Sequence, residues 1–222
     1  MITWVVTTDG RKEFIEKTIP TWDQATGLVS HRIIIDDSGD TDYRQWLART
    51  FPDWDVIPVG EERCGYSPAM QAIRQVGLQC GTEFIFHTED DFMLNRPINL
   101  DDVAALLRDK QYLAQVALLR QPWFPNEIEA GGLIEALEPG EVFTECSDGD
   151  RYWIEHRAMW TANPNMFRRD VAKIEYPNVN YSESAFMRSL KQDANLRCAF
   201  WGKRSDEYYV HHIGEYRNGI EY

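Results

Sequence analysis

The chain has 222 residues, enough to bury a substantial core as one domain or as one domain with a C-terminal extension. Hydrophobic residues make up 43% of it and aromatic residues 13%, which excludes wholesale disorder. There are 36 acidic against 23 basic residues, a net charge of -13, and the excess lies before residue 166. This acidity gives no general electrostatic signature for nucleic acid or an anionic membrane, although it does not exclude a nucleic-acid acceptor.

Cysteine usage and the N-terminal residues bear on the compartment. The four cysteines are scattered without a Cys-x-x-Cys pair, so neither a zinc site nor a disulfide framework is expected. Residues 1–6 are typical of a first strand rather than a signal peptide, and no stretch approaches the roughly 18 apolar residues of a membrane span. We therefore expect a cytoplasmic protein with reduced thiols.

The first 95 residues predict a regular alternation of strands and helices. Helix 67–80 has the clearest start, because Ser67 with Pro68 is a typical pair of an N-cap and a first helical residue. Strands are predicted at 3–8, 32–35, 55–59 and 84–86, and helices at 11–24, 41–49 and 67–80. This order predicts an α/β fold with a mostly parallel central sheet and helices on both faces.

The alternation continues briefly and then breaks down. A helix is predicted to begin at Asn99, followed by a strand at 116–119, whereas residues 121–150 are rich in Pro, Gly and Glu and indicate loops with room for a hairpin. Further helices are predicted at 168–174 and 182–192, and strands at 198–201 and 208–213. We divide the single domain into an α/β part, residues 1–120, and a C-terminal extension, residues 121–222.

An acidic run, Glu89-Asp90-Asp91, follows an apolar strand directly and precedes another apolar segment. Buried carboxylates need a counter-charge, and hard oxygen ligands suit Mg²⁺ or Mn²⁺. The alternative is an acidic turn at a strand end. Ligands of such sheets bind at the carboxyl ends of the strands, which also carry Thr7-Thr8-Asp9 and Asp36-Asp37, and this convergence favours a metal-dependent site.

The motifs exclude two common ways of binding a nucleotide. The turn after the first strand, Thr7-Thr8-Asp9-Gly10-Arg11, contains one glycine instead of a Gly-x-Gly-x-x-Gly series, so a dinucleotide site is disfavoured. No Gly-x-x-x-x-Gly-Lys is present, which excludes a P-loop. The remaining arrangement holds a diphosphate through a divalent ion on carboxylates.

With these segments in view, the chain resembles glycosyltransferases of the family 2 type, with the Rossmann-like GT-A fold. Four segments carry the resemblance, in the family's order: residues 5–11, 33–40, 63–69 and 86–91. The last stands where the family has its Asp-x-Asp metal motif, here beginning with Glu89. The resemblance implies a nucleotide-sugar site formed by Thr7, Thr8, Asp9, Arg11, Asp36, Asp37, Arg63, Ser67 and Asp90.

Looser resemblances extend into the second half. They imply that Glu183 is the catalytic base, although an acid at a helix N-terminus is also explained by the helix dipole. A C-terminal His-x-Gly pattern implies Glu89, Asp91 and His212 as ligands of Mn²⁺ or Mg²⁺, and His212 is preferred over His211 because adjacent strand residues face opposite ways. Residues on the acceptor side would be Trp123, Trp160 and Asn163.

The resemblance implies a small, stand-alone, inverting glycosyltransferase of a bacterial or phage-like type. A Gln-x-x-Arg-Trp motif is missing, which favours transfer of one sugar, from a UDP-sugar by preference. The hydroxyl acceptor would be a glycan, a protein side chain or a hydroxymethylated base of phage DNA. The protein would act in the cytoplasm of a bacterium or of a phage-infected host. Two alternatives stay open, a sugar-phosphate nucleotidyltransferase and a non-catalytic module that binds a nucleotide or sugar.

Overall fold

A nine-stranded sheet forms the centre of the structure, a computed structural model that describes residues 1–214. The end of the predicted C-terminal extension, residues 215–222, lies outside the described residues. The strands are β1 (Ile2–Thr8), β2 (Ala25–Thr26), β3 (Val29–Asp36), β4 (Asp55–Pro58), β5 (Phe84–Glu89), β6 (Phe92–Leu94), β7 (Ile98–Asn99), β8 (Leu113–Leu118), β9 (Phe143–Asp148), β10 (Arg151–His156), β11 (Asn165–Arg168), β12 (Arg197–Trp201) and β13 (Val210–His212). The helices are α1 (Lys12–Thr21), α2 (Thr41–Thr50), α3 (Tyr66–Cys80), α4 (Leu100–Asp109), α5 (Pro125–Ala130), α6 (Leu133–Leu137), α7 (Arg169–Ala172) and α8 (Ser182–Leu190), with a 3₁₀ turn at Trp22–Gln24.

The sheet is mixed, which corrects the prediction of a mostly parallel one. Its order is β4-β3-β1-β5-β11-β8-β12-β10-β9, and the first four strands are parallel. β11 then runs antiparallel between β5 and β8, β12 is parallel to β8, and β10 and β9 add an antiparallel hairpin at the edge. The parallel block comes from crossover helices, whereas β9 and β10 are joined by a tight turn, which requires opposite directions.

Two apolar layers cover the faces of the sheet. Adjacent strand residues point to opposite faces, so in β1 Trp4 and Val6 pack into one layer and Val5 into the other. The first layer includes residues of α1, α2 and α4, and the second includes residues of α3, α7 and α8. Helices therefore cover both faces.

Side-chain capping marks the starts of α2 and α4, whereas the start of α3 differs from the prediction. Asp40 caps α2 by accepting bonds from the backbone of Asp42 and Tyr43, and Asn99 caps α4. In α3, however, the N-cap is Gly65, with a φ of 94°, rather than Ser67. Glycine adopts this backbone with a positive φ at low cost, and the N-cap lies two residues earlier than expected.

The segment 121–150 is more ordered than its composition indicates. It forms α5, α6 and β9, and the first two are short helices that pack against each other. Glu127, in the first turn of α5, accepts bonds from the backbone N–H groups of Trp123 (2.7 Å) and Phe124 (3.2 Å). Among residues 1–214, no helix has the length and apolar character required to cross a bilayer.

Candidate active site

The carboxyl ends of β1, β3 and β5 lie side by side and form one rim of a cavity. Thr8 is in register with Asp36 on β3, and Thr7 with Glu89 on β5. The Asp90 N–H donates to the Thr7 carbonyl at 3.0 Å, which ties the acidic segment to the end of β1. The three strand ends named from the sequence thus meet at one edge.

Arg11, the residue before α1, bridges the acidic side chains of this rim. Its guanidinium pairs with Asp91 (Nη1 to Oδ2, 2.7 Å), with Asp9 (Nε to Oδ1, 2.8 Å) and, at close range, with Asp90. Burial alone would lower the pKa of Arg11, but the charges of Asp90, Asp91 and Asp9 raise it overall. The guanidinium therefore stays charged and balances part of the carboxylate cluster.

Two of the residues proposed to bind the donor, Asp36 and Asp90, are fully buried and lie beneath the rim. Asp36 accepts a bond from Arg44 Nε (3.1 Å), and Asp90 accepts one from Thr8 Oγ1 (2.6 Å) besides its pair with Arg11. Neither lines the cavity. Their bonds hold the strand ends and Arg11 in place.

Asp37 positions the loop before α3. Its carboxylate accepts bonds from the backbone N–H groups of Cys64 (2.8 Å) and Gly65 (2.7 Å). Arg63, half exposed in the same loop, pairs with Asp9. The loop and the end of β1 are thereby connected, and both line the cavity.

His212 reaches Asp91 because β13 pairs antiparallel with β6, which directly follows Asp91. Its Nε2 lies 3.3 Å from Asp91 Oδ2. The side-chain amide of Gln121 bonds both the N–H and the C=O of His212, at 2.9 and 2.8 Å. The imidazole stacks on Phe92, with centroids 4.5 Å apart, and lies 4.2 Å from the ring of Trp123. The ring is therefore held in one orientation.

The Asp91–His212 pair leaves one carboxylate oxygen unpaired. Burial alone would raise the pKa of Asp91, but the hydrogen bond with His212 and the charge of Arg11 lower it. Its Oδ1 is buried without a hydrogen-bond partner in residues 1–214. Gly214 makes room for the pair, because a Cβ there would lie 2.7 Å from His212 Nε2 and closer still to Asp91. His211, the other candidate, is exposed.

Glu183, in the first turn of α8, lies on the opposite wall of the cavity. Its Oε1 accepts a bond from Tyr66 OH at 2.9 Å and, at close range, one from the Ala162 N–H. Burial raises the pKa of Glu183, and these two bonds offset that only in part. Tyr181, at the N-cap of α8, has a φ of 56°, which costs a non-glycine residue on the order of 1 kcal/mol. A raised pKa makes a carboxylate a better proton acceptor, which is the chemistry that Glu183 can offer at this wall.

Of the three residues named for the acceptor side, the structure brings Asn163 to the cavity. Its Nδ2 is buried without a partner among residues 1–214. Trp160 is fully buried, edge-on against Phe167 (5.5 Å) and Phe186 (4.8 Å), so it supports the wall from behind. Trp123 packs on His212 instead. The side chains of this wall that do line the cavity include Phe124, Met159, Val179 and Tyr181.

Sequence reasoning missed a buried ion pair at the cavity, Arg120 with Glu127. The guanidinium binds both carboxylate oxygens, at 2.6 and 2.9 Å, and both side chains are almost inaccessible. Burial would raise the pKa of Glu127, but the bonds from Arg120 and from two backbone amides lower it overall. Tyr66 and Gln121 were also missed. One feature of the sequence could have indicated Arg120: it is a single arginine that directly follows the apolar segment of β8, where a buried cation needs an acidic partner.

These walls enclose an open cavity of about 630 Å³, sufficient for a nucleotide-sized ligand. Among residues 1–214, five carboxylates line it: Asp9, Asp37, Glu89, Asp91 and Glu183. The arginines that line it are Arg11, Arg63 and Arg120, of which Arg120 is balanced by Glu127. Burial raises the pKa of Glu89, and the charges of Asp91 and Glu183 add to the effect. The lining within residues 1–214 thus holds more carboxyl groups than arginines.

The residues present suit a divalent ion in part. Within residues 1–214, no group of three or more His, Cys, Asp and Glu is arranged to hold a metal. Asp91, however, has a buried unpaired oxygen next to the imidazole of His212. Mg²⁺ is usually held by one or two carboxylates, with substrate phosphates completing the shell. Asp91 and His212 fit such a shared site.

No protein-family model matches the sequence, and no curated protein matches it either. Solved structures share its fold. TarS residues 1–349 from S. aureus, in complex with UDP-GlcNAc, superposes with a TM-score of 0.59 at 15% identity, over 99% of this chain and 60% of that chain. The mannosyltransferase PcManGT from Pyrobaculum calidifontis, in complex with GDP-Man and Mn²⁺, gives 0.61 at 13%, over 98% and 58%. The chain thus spans about three fifths of these structures, and the likeness establishes a shared mixed α/β fold.

Proposed function

We propose that the protein is a metal-dependent glycosyltransferase of the family 2, GT-A type, which moves one sugar from a nucleoside-diphosphate sugar to a hydroxyl with inversion. The observation that carries the proposal is one cavity with two kinds of carboxylate. Asp91 contacts a histidine and a guanidinium, whereas Glu183, on the other wall, is bound by neutral donors. Transfer needs both a cation site for the leaving diphosphate and a base for the acceptor.

The donor occupies the rim formed by β1 and the loop before α3. Thr7, Thr8, Asp9, Asp37 and Ser67 contact the nucleoside, and the exposed Arg63 approaches the diphosphate. Asp36 and Asp90 contribute by holding the rim from beneath. That TarS has been captured with UDP-GlcNAc and PcManGT with GDP-Man supports this class of donor. A UDP-sugar is the first candidate.

Asp91 and His212, with Glu89, would hold Mn²⁺ or Mg²⁺. When bound, the ion supplies positive charge to the departing diphosphate. The excess of acidic side chains over arginines in the cavity supports this part of the proposal, because the phosphate oxygens would otherwise lie among more acids than bases. The complex of PcManGT with Mn²⁺ also supports it.

Glu183 removes the proton of the acceptor hydroxyl as its oxygen attacks the anomeric carbon. The new carbon–oxygen bond forms on one face of the sugar while the bond to the diphosphate breaks on the other, which inverts the configuration. Tyr66 and the Ala162 N–H fix Glu183 Oε1 during the step. Asn163 contacts the acceptor, which is a glycan, a protein side chain or a hydroxymethylated DNA base.

Calorimetric titration with nucleoside diphosphates, beginning with UDP, tests the donor site in Mn²⁺ and then in EDTA. We expect one nucleotide to bind in Mn²⁺ and to lose affinity in EDTA. No binding of any nucleotide under either condition would contradict the proposal. A non-catalytic binding module would bind the nucleotide but would not hydrolyse or transfer the sugar of any donor.

A further inference from the structure

Arg11 places a positive charge against Asp91, the carboxylate that a divalent ion would also bind. Its Nη1 lies 2.7 Å from Asp91 Oδ2, the same oxygen that lies 3.3 Å from His212 Nε2. The guanidinium also binds Asp9 and Asp90. It thus places a positive charge directly beside the proposed ion site. Two cations on one carboxylate repel each other strongly when the group is buried.

Arg11 is more accessible from the cavity than its partner Asp90. Asp90 is fully buried, whereas about a quarter of the Arg11 side chain is accessible. The guanidinium can therefore turn toward a ligand without opening the fold. Its planar fork matches a phosphate as well as a carboxylate.

We propose that Arg11 is a built-in counter-ion that competes with the divalent ion for Asp91 and transfers its bonds to the donor's diphosphate when the ion binds. The inference rests on the proposed function, because it assigns the donor and ion to this cavity. It has one direct consequence. The ion binds weakly to the free protein and more tightly once a nucleoside diphosphate gives Arg11 another partner, a coupling that must be reciprocal.

Mn²⁺ binding to the free protein, followed by the electron paramagnetic resonance signal of unbound Mn²⁺, tests the competition without any sugar or acceptor. Arg11→Met should bind Mn²⁺ about tenfold more tightly than wild type, since it removes the positive charge that is bonded to the same carboxylate and repels the ion. Adding UDP should tighten Mn²⁺ binding to wild type more than to Arg11→Met.

Arg63→Met is the matched control. It removes the same charge from the same cavity, but Arg63 pairs with Asp9 and does not contact Asp91. If Arg11 competes with the ion for Asp91, Mn²⁺ affinity should rise clearly less in Arg63→Met than in Arg11→Met. Adding Asp91→Asn to Arg11→Met should abolish the gain. Equal gains for both arginine variants would overturn the inference, since they would show a general field effect.

Arg11→Lys covers the case in which loss of the charge next to Asp90 prevents folding. Lysine keeps the charge but lacks the fork, so a gain of a few fold in Mn²⁺ affinity is expected. Unchanged or weaker Mn²⁺ binding in the folded arginine variants would overturn the inference. If UDP nevertheless binds in an Mn²⁺-dependent way, the proposed function still stands. If the Arg11 variants gain Mn²⁺ affinity as predicted but no nucleotide binds, the proposed function is wrong and the competition between Arg11 and the ion still stands.

Discussion

The two walls of the cavity place their carboxylates in opposite electrostatic surroundings. On the wall proposed to bind the donor, called the donor wall, Asp91 contacts the guanidinium of Arg11 and the imidazole of His212, and its pKa is lowered. On the wall proposed to bind the acceptor, called the acceptor wall, Glu183 accepts bonds from a phenol and a backbone amide, and burial raises its pKa.

This difference supports the proposed roles of the two residues, which residue type alone does not distinguish. A carboxylate kept charged by neighbouring cations is a poor base but a good ligand, whereas one with a raised pKa is a better base. The comparison therefore supports the proposal that ion binding and proton transfer belong to different carboxylates of a single cavity. Each variant below changes one wall and should leave the other intact.

Glu183→Gln should have the largest effect. Turnover should fall about 100-fold or more, the usual contribution of a general base. Donor affinity, measured by calorimetry, should stay unchanged because the glutamine Oε1 can still accept the bonds from Tyr66 and Ala162. Glu175→Gln, at an exposed site, is the matched control and should behave as wild type.

The same variant has a predicted effect on stability. Because burial raises the pKa of Glu183, its carboxylate destabilises the fold as pH rises through that pKa. Glu183→Gln should therefore melt at least as high as wild type at pH 7, and the difference should shrink in acid. A clear loss of melting temperature at pH 7, together with lost turnover, would indicate a structural role instead.

Asp91→Asn should affect the other wall. Metal-dependent nucleotide binding should weaken about tenfold to 100-fold, since the neutral amide is a poor ligand for a hard cation. Calorimetry with Mn²⁺ and with EDTA measures this, and the exposed Asp53→Asn serves as the control. Equal nucleotide affinity in both metal conditions would separate Asp91 from the ion.

Gly214→Ala tests the geometry of the Asp91–His212 pair. The added Cβ would clash with both side chains, so Mn²⁺ affinity should fall several-fold, roughly the effect of a displaced ligand neighbour. Gly140→Ala, where the nearest atom is 3.9 Å away, is the control and should be neutral. Full Mn²⁺ affinity in Gly214→Ala would show that this pair does not hold the ion.

Tyr66→Phe should have the smallest effect and the most specific signature. Loss of its bond to Glu183 removes an interaction that lowers the pKa of that carboxyl, so the pKa rises further. The acid limb of the rate profile should move up by about one pH unit or less, and turnover should recover as the pH is raised. A uniform loss at every pH would mean that Tyr66 does not act through Glu183.

The sequence indicated the donor wall better than the acceptor wall, for a physical reason. The elements up to β5 are set by local periodicity and caps, and parallel strands bring their carboxyl ends together by rule. β11 could not be placed, because its position between β5 and β8 depends on pairing with strands distant in the chain. Helices α5 and α6 were missed because their stability comes from packing and from the Arg120–Glu127 pair.

Individual side chains show the same limit. Trp160 was read as a surface for the acceptor, but an aromatic residue looks alike in sequence whether it lines a cavity or, as here, packs behind one. Asp36 and Asp90 lie at strand ends as expected. Whether such a carboxylate faces a ligand depends, however, on whether an arginine of the same chain forms an ion pair with it. The bonds of Arg11 and Arg44 decide that, and no spacing predicts them.

The most direct test of the division between the two walls is the pKa of Glu183 itself. A titration of the glutamate side-chain carboxyls by ¹³C nuclear magnetic resonance, assigned by the signal missing from Glu183→Gln, measures it in the free protein. The account predicts a pKa above the usual glutamate value. A pKa at or below the usual glutamate value would contradict it, since Glu183 would then not differ from Asp91 in having a raised pKa.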